Sequence, residues 1–271
     1  MLDRLKTFAL RHPLWFGFLL IVIYALLTAL TYPIHFLFPD SSVGILYGDI
    51  ASRVVISGVF VALIWRFGWL QSSGLGRLRL GWAWLVILVV LLYKTSTELY
   101  AFTGSPVPAF FNSSRPVANW SYYFFGALIE ELIARSLVLL AMLAAWGESK
   151  GGLFKSVLYS SLVFGAAHLF NAINTPVGLV VFQAMLALIP GILYAALFLV
   201  TRSLWPAIIL HWVTNALVNA KIAAIPSYTE TPAVWTWWGL ALVPLLVFSF
   251  YLVWRAPHPY TSEAGELRWA A

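Results

Sequence analysis

The chain has 271 residues, 62% of them hydrophobic and only 10% charged, where a soluble domain carries roughly 25% charged residues. That much apolar surface cannot be hidden in a core of its own, so the solvent must be lipid. The net charge of +6 does not point to nucleic acid, because the basic residues are scattered singly between apolar runs in the manner of topology signals. With no cysteine, disulfides, iron–sulfur clusters and thiolate metal sites are excluded.

The first stretch, "MLDRLKTFALRHP", resembles the charged start of a signal peptide. The apolar run behind it is long and shows no clear small-residue cleavage site, so it reads as a retained first span. A span needs about 20 mostly apolar residues. Eight runs qualify, roughly 14–31, 51–69, 80–98, 121–146, 154–170, 177–200, 204–223 and 233–254. The runs are continuous and not alternating, which predicts helices and not barrel strands. The expected fold is therefore all-α, a polytopic membrane bundle of about eight transmembrane helices. It forms a single domain over 1–255, with a catalytic core at about 120–220 and a polar, flexible tail at 256–271.

The loops predict orientation. An N-terminus inside puts Arg4, Lys6, Arg11, Arg66, Arg77, Arg79, Lys150, Lys155, Arg202, Arg255 and Arg268 on the same side. Only Arg53, Lys94, Arg115 and Lys221 fall on the other, so both termini are expected to be cytoplasmic. Lys94 and Glu98 lie one turn apart near a span end and read as a structural pair. The connection 99–120 is rich in Pro, Gly and Ser, with Phe110 and Phe111 on the membrane surface and a weak sequon at Asn112. Trp and Tyr near the ends of apolar runs fit the aromatic belts of a bilayer protein.

One run contains "IEELIARS". A charge at a helix centre costs about 2.5–3.5 kcal/mol on insertion scales, and ionisable residues there are functional candidates. Glu131 and Arg135 are four apart and share a face, so they are expected to pair. Glu130 is five from Arg135 and points elsewhere. It is the carboxylate left for chemistry as a general base. A structural network of all three charges is the competing reading. In later runs Phe164 and His168 are four apart, and so are His211 and Asn215. His211 and Asn215 can aim N–H donors at one point, as a developing oxyanion requires. Together the residues supply the parts for water-mediated amide hydrolysis. Glu130, His168 and His211 would also compose a zinc ligand set, although they come from three separate runs and no HExxH pattern is present.

The double glutamate with an arginine four residues later, then Phe-x-x-x-His, then His-x-x-x-Asn, resembles the CAAX-protease and bacteriocin-processing family of intramembrane proteases. The motifs cover roughly 120–220, and "TRSLWPAIILHWVTN" looks like bacterial members. The resemblance implies that Glu130 activates water with help from His168, that His211 and Asn215 stabilise the oxyanion, and that Phe164 packs on the reacting group. Glu131 and Arg135 would shape the site, with Arg135 also meeting a substrate carboxylate. It implies a peptide or protein substrate in or on the membrane, lipid as the other partner, and the bacterial inner membrane as the location. No cofactor is favoured, with a divalent metal such as zinc as the alternative. Competing readings are a proton-coupled transporter, which should show repeat symmetry between halves, and a non-catalytic scaffold or immunity protein of the same fold. In a regular up-and-down ladder His211 lies at a different depth from Glu130 and His168, so a break at Pro190-Gly191 or Pro206 is expected.

Overall fold

The structure is a computed structural model describing residues 2–79, 81–89, 116–173, 175–224, 232–261 and 267–269. Helix α1 (Leu2–Arg11) is amphipathic, with Leu5, Phe8 and buried Ala9 packed on the core and Arg4 exposed. Helix α2 (Pro13–Thr31) opens on a proline, whose missing N–H costs nothing in a first turn. It runs on into a 3₁₀ segment, Tyr32–Leu37. Helix α3 (Ser42–Arg66) is capped by Ser41, whose hydroxyl accepts from the Gly44 N–H at 3.1 Å. The helix begins at 42 and not 51. Arg53, expected at the outer end of a span, therefore sits in its interior, as does Asp49.

The glutamates lie on α4 (Pro116–Ile133), which passes without interruption through a π-helical segment, Ala134–Leu139, into α5 (Leu140–Trp146). Ser149 caps α6 (Lys150–Ala167), which continues as a 3₁₀ segment, His168–Ile173. Helices α7 (Val177–Thr201), α8 (Trp205–Ala224) and α9 (Pro232–Arg255) follow. Among the described residues, four helices are long and apolar enough to cross a membrane: 13–37, 42–66, 150–173 and 177–201. Most of the expected 80–98 span, the Lys94–Glu98 pair, and the loop with Phe110, Phe111 and Asn112 lie outside the described residues.

The core is built round two stretches buried on every face, 131–143 and 191–199. A helix with no exposed face must be sheathed by others. Close approach depends on small residues. A Cβ at Gly165 would sit 2.7 Å from the Ala184 carbonyl oxygen, and one at Gly191 would meet Ser161 and Phe164 at 3.2 Å.

Helices α7 and α8 are unbroken at Pro190 and Pro206; the latter occupies the first turn of α8, where it is tolerated. The turn between them is buried. Arg202 ends α7 in the left-handed region (φ 55°), and Ser203 and Leu204 are fully buried. The segment after α3 folds over them. The Ser203 hydroxyl donates to the Arg77 carbonyl, and Trp205 Nε1–H to the Leu75 carbonyl at 2.8 Å. Gly74 (φ 64°) lies against the Arg202 carbonyl, where a Cβ would collide. Helix α8 thus starts from a covered turn, and His211 on it reaches Glu131.

The tail also differs from expectation. Pro259–Thr261 (β1) pairs antiparallel with Leu267–Trp269 (β2), a small departure from an all-α fold. Lys150 Nζ donates to the carbonyls of Trp254 and Ala256, both at 2.8 Å, fastening the end of α9 beneath α6. Pro259 is buried near Gly147.

Candidate active site

The two glutamates have different surroundings. Glu131 is fully buried and Glu130 keeps 31% of its side chain exposed. Glu131 Oε2 lies 3.2 Å from Arg135 Nε, the pair expected from their spacing. This is a charge contact without hydrogen-bond alignment, because both atoms lack a hydrogen-bond partner. The Arg135 guanidinium is supported further by aromatic faces, with its carbon 4.9 Å from the Phe164 ring centroid and 5.8 Å from that of Tyr194. The π segment that contains Arg135 is a backbone form met often at functional sites.

Glu131 also reaches across to α8, where its Oε1 lies 2.8 Å from His211 Nδ1. Helix α8 is held in register by Trp212, whose Nε1–H donates to the Trp120 carbonyl on α4 at 2.9 Å. The His211 ring is stacked on Tyr194 (5.1 Å, 24°) and edge-on to Phe164 (5.7 Å, 82°). With Nδ1 turned to Glu131, His211 Nε2 faces Glu130 Oε2 at 3.6 Å. The fully buried carboxylate therefore orients the histidine, and the histidine presents its other nitrogen to the partly exposed one.

His168 caps α6, with Nδ1 3.0 Å from the Phe164 carbonyl. A carbonyl only accepts, so Nδ1 carries the proton, and in a neutral ring Nε2 keeps a lone pair. His168 and Glu130 line one cavity of about 200 Å³, together with Phe164, Asn171, Tyr24 and Arg53. His211 borders Glu130 from the protein side. Asn215 is half-buried one turn further along α8 and is not among the cavity's lining residues. Arg135 has no exposed surface and does not line the cavity either. The arginine that faces the cavity is Arg53. The sequence carries no signal for Tyr24 or Tyr194, and for Arg53 only its place eleven residues into a helix whose polar first turns hide its start.

Zinc requires ligand atoms at about 2.0–2.2 Å from one ion. Glu130 and His211 approach each other, but His168 does not join them. Among the described residues no group of three His, Cys, Asp or Glu side chains is disposed to hold a metal.

The fold and its interior define a class: a helical membrane protein whose buried Glu–His–Arg cluster opens on a cavity through a second glutamate and a second histidine. Residues 112–217 match the family described as type II CAAX prenyl endopeptidase Rce1-like. The match contains Glu130, His168, His211 and Asn215 but not α3 or Arg53. No curated protein and no solved structure gives a significant match.

Proposed function

We propose that the protein is an intramembrane endopeptidase of the glutamate type. It hydrolyses a peptide bond in a membrane-attached or lipidated substrate. The observation that carries this reading is the division of labour between the glutamates. Glu130 and His168 share a cavity, while buried Glu131 holds His211 against Glu130.

Glu130 takes a proton from a water that His168 Nε2 helps to hold. The water oxygen attacks the scissile carbonyl carbon. Charge on the carbonyl oxygen is met by N–H donors from His211 Nε2 and the Asn215 amide. His211 donates there as an imidazolium, with Glu131 as its counter-charge. The tetrahedral intermediate collapses as the C–N bond breaks, and Glu130 returns its proton to the leaving amine. The roles of base and orienting carboxylate follow the logic by which a buried acid aligns a histidine in other hydrolases, and oxyanion donors in a site shielded from water are worth several kcal/mol.

The family's name motivates the first probe, a prenylated peptide ending in a Cys-Ala-Ala-X pattern, beside an unlipidated transmembrane peptide. Purified protein in liposomes should cleave at least one of them. Glu130→Ala, His168→Ala and His211→Ala should each abolish cleavage. Equal cleavage by wild type and Glu130→Ala would overturn the assignment. Activity that survives a strong chelator supports the metal-free mechanism, and chelator loss restored by zinc would replace it with a metalloprotease.

A further inference from the structure

The cavity at Glu130 does not end at Glu130. Tyr24 and Arg53 line it, and both also line a second, larger cavity of about 680 Å³ between α2, the 3₁₀ segment and α3. The two spaces therefore meet at this pair of side chains. The larger one is within the 300–1,000 Å³ range of ligand pockets and has room for a peptide segment of a few residues.

Arg53 is built into this junction. Its Nη1–H donates to the Tyr122 carbonyl on α4 at 2.9 Å, and its guanidinium carbon lies 3.8 Å from the Tyr122 ring centroid. Gly126, one turn on, makes the space, since a Cβ there would collide with Nη1. One of five N–H donors is thus committed, and the planar fork is held in place. Among the described residues Arg53 has no carboxylate partner. Asp49, one turn earlier on α3, also lines the larger cavity but is bound to His35 Nε2 at 3.0 Å. An arginine inside a membrane helix pairs with a charge or a backbone carbonyl, or faces a watery cavity; this one has the Tyr122 carbonyl for one donor and faces a cavity on each side.

We propose that Arg53 anchors the C-terminal carboxylate of the substrate, with the residues beyond the scissile bond lying in the larger cavity. The inference rests on the hydrolase reading of Glu130. Its electrostatics are consistent with the product, because a released peptide carries an amine, left beside Glu130, and a carboxylate, left at Arg53. Arg–carboxylate pairs are bidentate and directional, so Arg53 would set how many residues separate the cleaved bond from the chain end.

The test uses full-length protein carrying Glu130→Gln, so that binding is read without cleavage. Two pools of N-palmitoylated tetrapeptides of random sequence are offered, one as free acids and one as C-terminal amides, and bound peptides are counted by mass spectrometry. Acids should be enriched at least fivefold over amides. The enrichment should vanish with Arg53→Gln and with Gly126→Ala, which displaces the guanidinium while keeping the charge and favouring the helix. Arg53→Lys should retain only part of it. Equal recovery of acids and amides, recovery of neither, or enrichment that persists in Arg53→Gln would overturn the proposal. So would Arg53-dependent retention of phosphatidylglycerol over phosphatidylcholine without acid preference, which would make the anion a lipid headgroup. Acid preference in a protein whose wild type cleaves nothing would instead retain Arg53 and reject the protease. Cleavage by wild type without acid preference would do the reverse.

Discussion

At the scale of single residues, adjacent glutamates should respond differently to the same change. Glu130→Gln is expected to lower the cleavage rate about 10²–10⁴-fold, the usual range for losing a general base, and to leave the thermal unfolding midpoint in detergent nearly unchanged. Glu131→Gln should lower both. It leaves Arg135 buried without its counter-charge, and breaking a buried pair on one side costs about 3–5 kcal/mol. Adding Arg135→Met to Glu131→Gln should recover stability but no activity, since His211 would still lack its orienting carboxylate. A double mutant as unstable as Glu131→Gln would show that charge pairing is not what Arg135 contributes. The inequality of the two acids was readable from spacing, because four residues place Glu131 and Arg135 on one face and five do not. The Glu131–His211 contact and the stacking of Tyr194 were not. They join separate helices, the first across 80 positions and the second across the α7–α8 turn, and no local periodicity encodes which faces of separate helices meet.

The helices themselves were largely readable, since a continuous apolar run bounded by turn residues leaves few choices. The later helices lie within a few residues of the expected run ends. The exceptions have local causes. Helix α3 starts early because Ser41 caps it and Gly44 and Gly48 are accommodated by close neighbours, while the polar look of that stretch hid its helicity. The π segment leaves no composition signal. Helix crossings give a direct test of packing. Gly165→Ala puts a Cβ against the Ala184 backbone, which cannot yield cheaply, and should destabilise by about 1–3 kcal/mol. Gly58→Ala on α3 meets nothing within 4 Å and should stabilise by up to about 1 kcal/mol through helix propensity. Thermal unfolding of both variants in one detergent checks the pair; equal shifts would mean that the α6–α7 contact is looser than the geometry indicates.

For the whole molecule, the absence of native cysteine makes orientation directly measurable. Single cysteines at Leu2 and Ala270 should be shielded from an impermeant maleimide added to intact cells, and one at Val107 should react. Labelling at either end would overturn the orientation predicted from Lys and Arg. The clasp over the α7–α8 turn adds a consequence in time. Its two hydrogen bonds join positions 126 and 130 apart, Ser203 to Arg77 and Trp205 to Leu75. During synthesis the strap at 75–77, Arg53, Glu130 and His168 all exist before 203–205 emerges. Loop closure grows costlier with length only slowly, yet this closure has to wait for nearly the whole bundle. His211 is therefore the last member to join the cluster. Slackening the strap is expected to withdraw it first while the earlier helices remain in place.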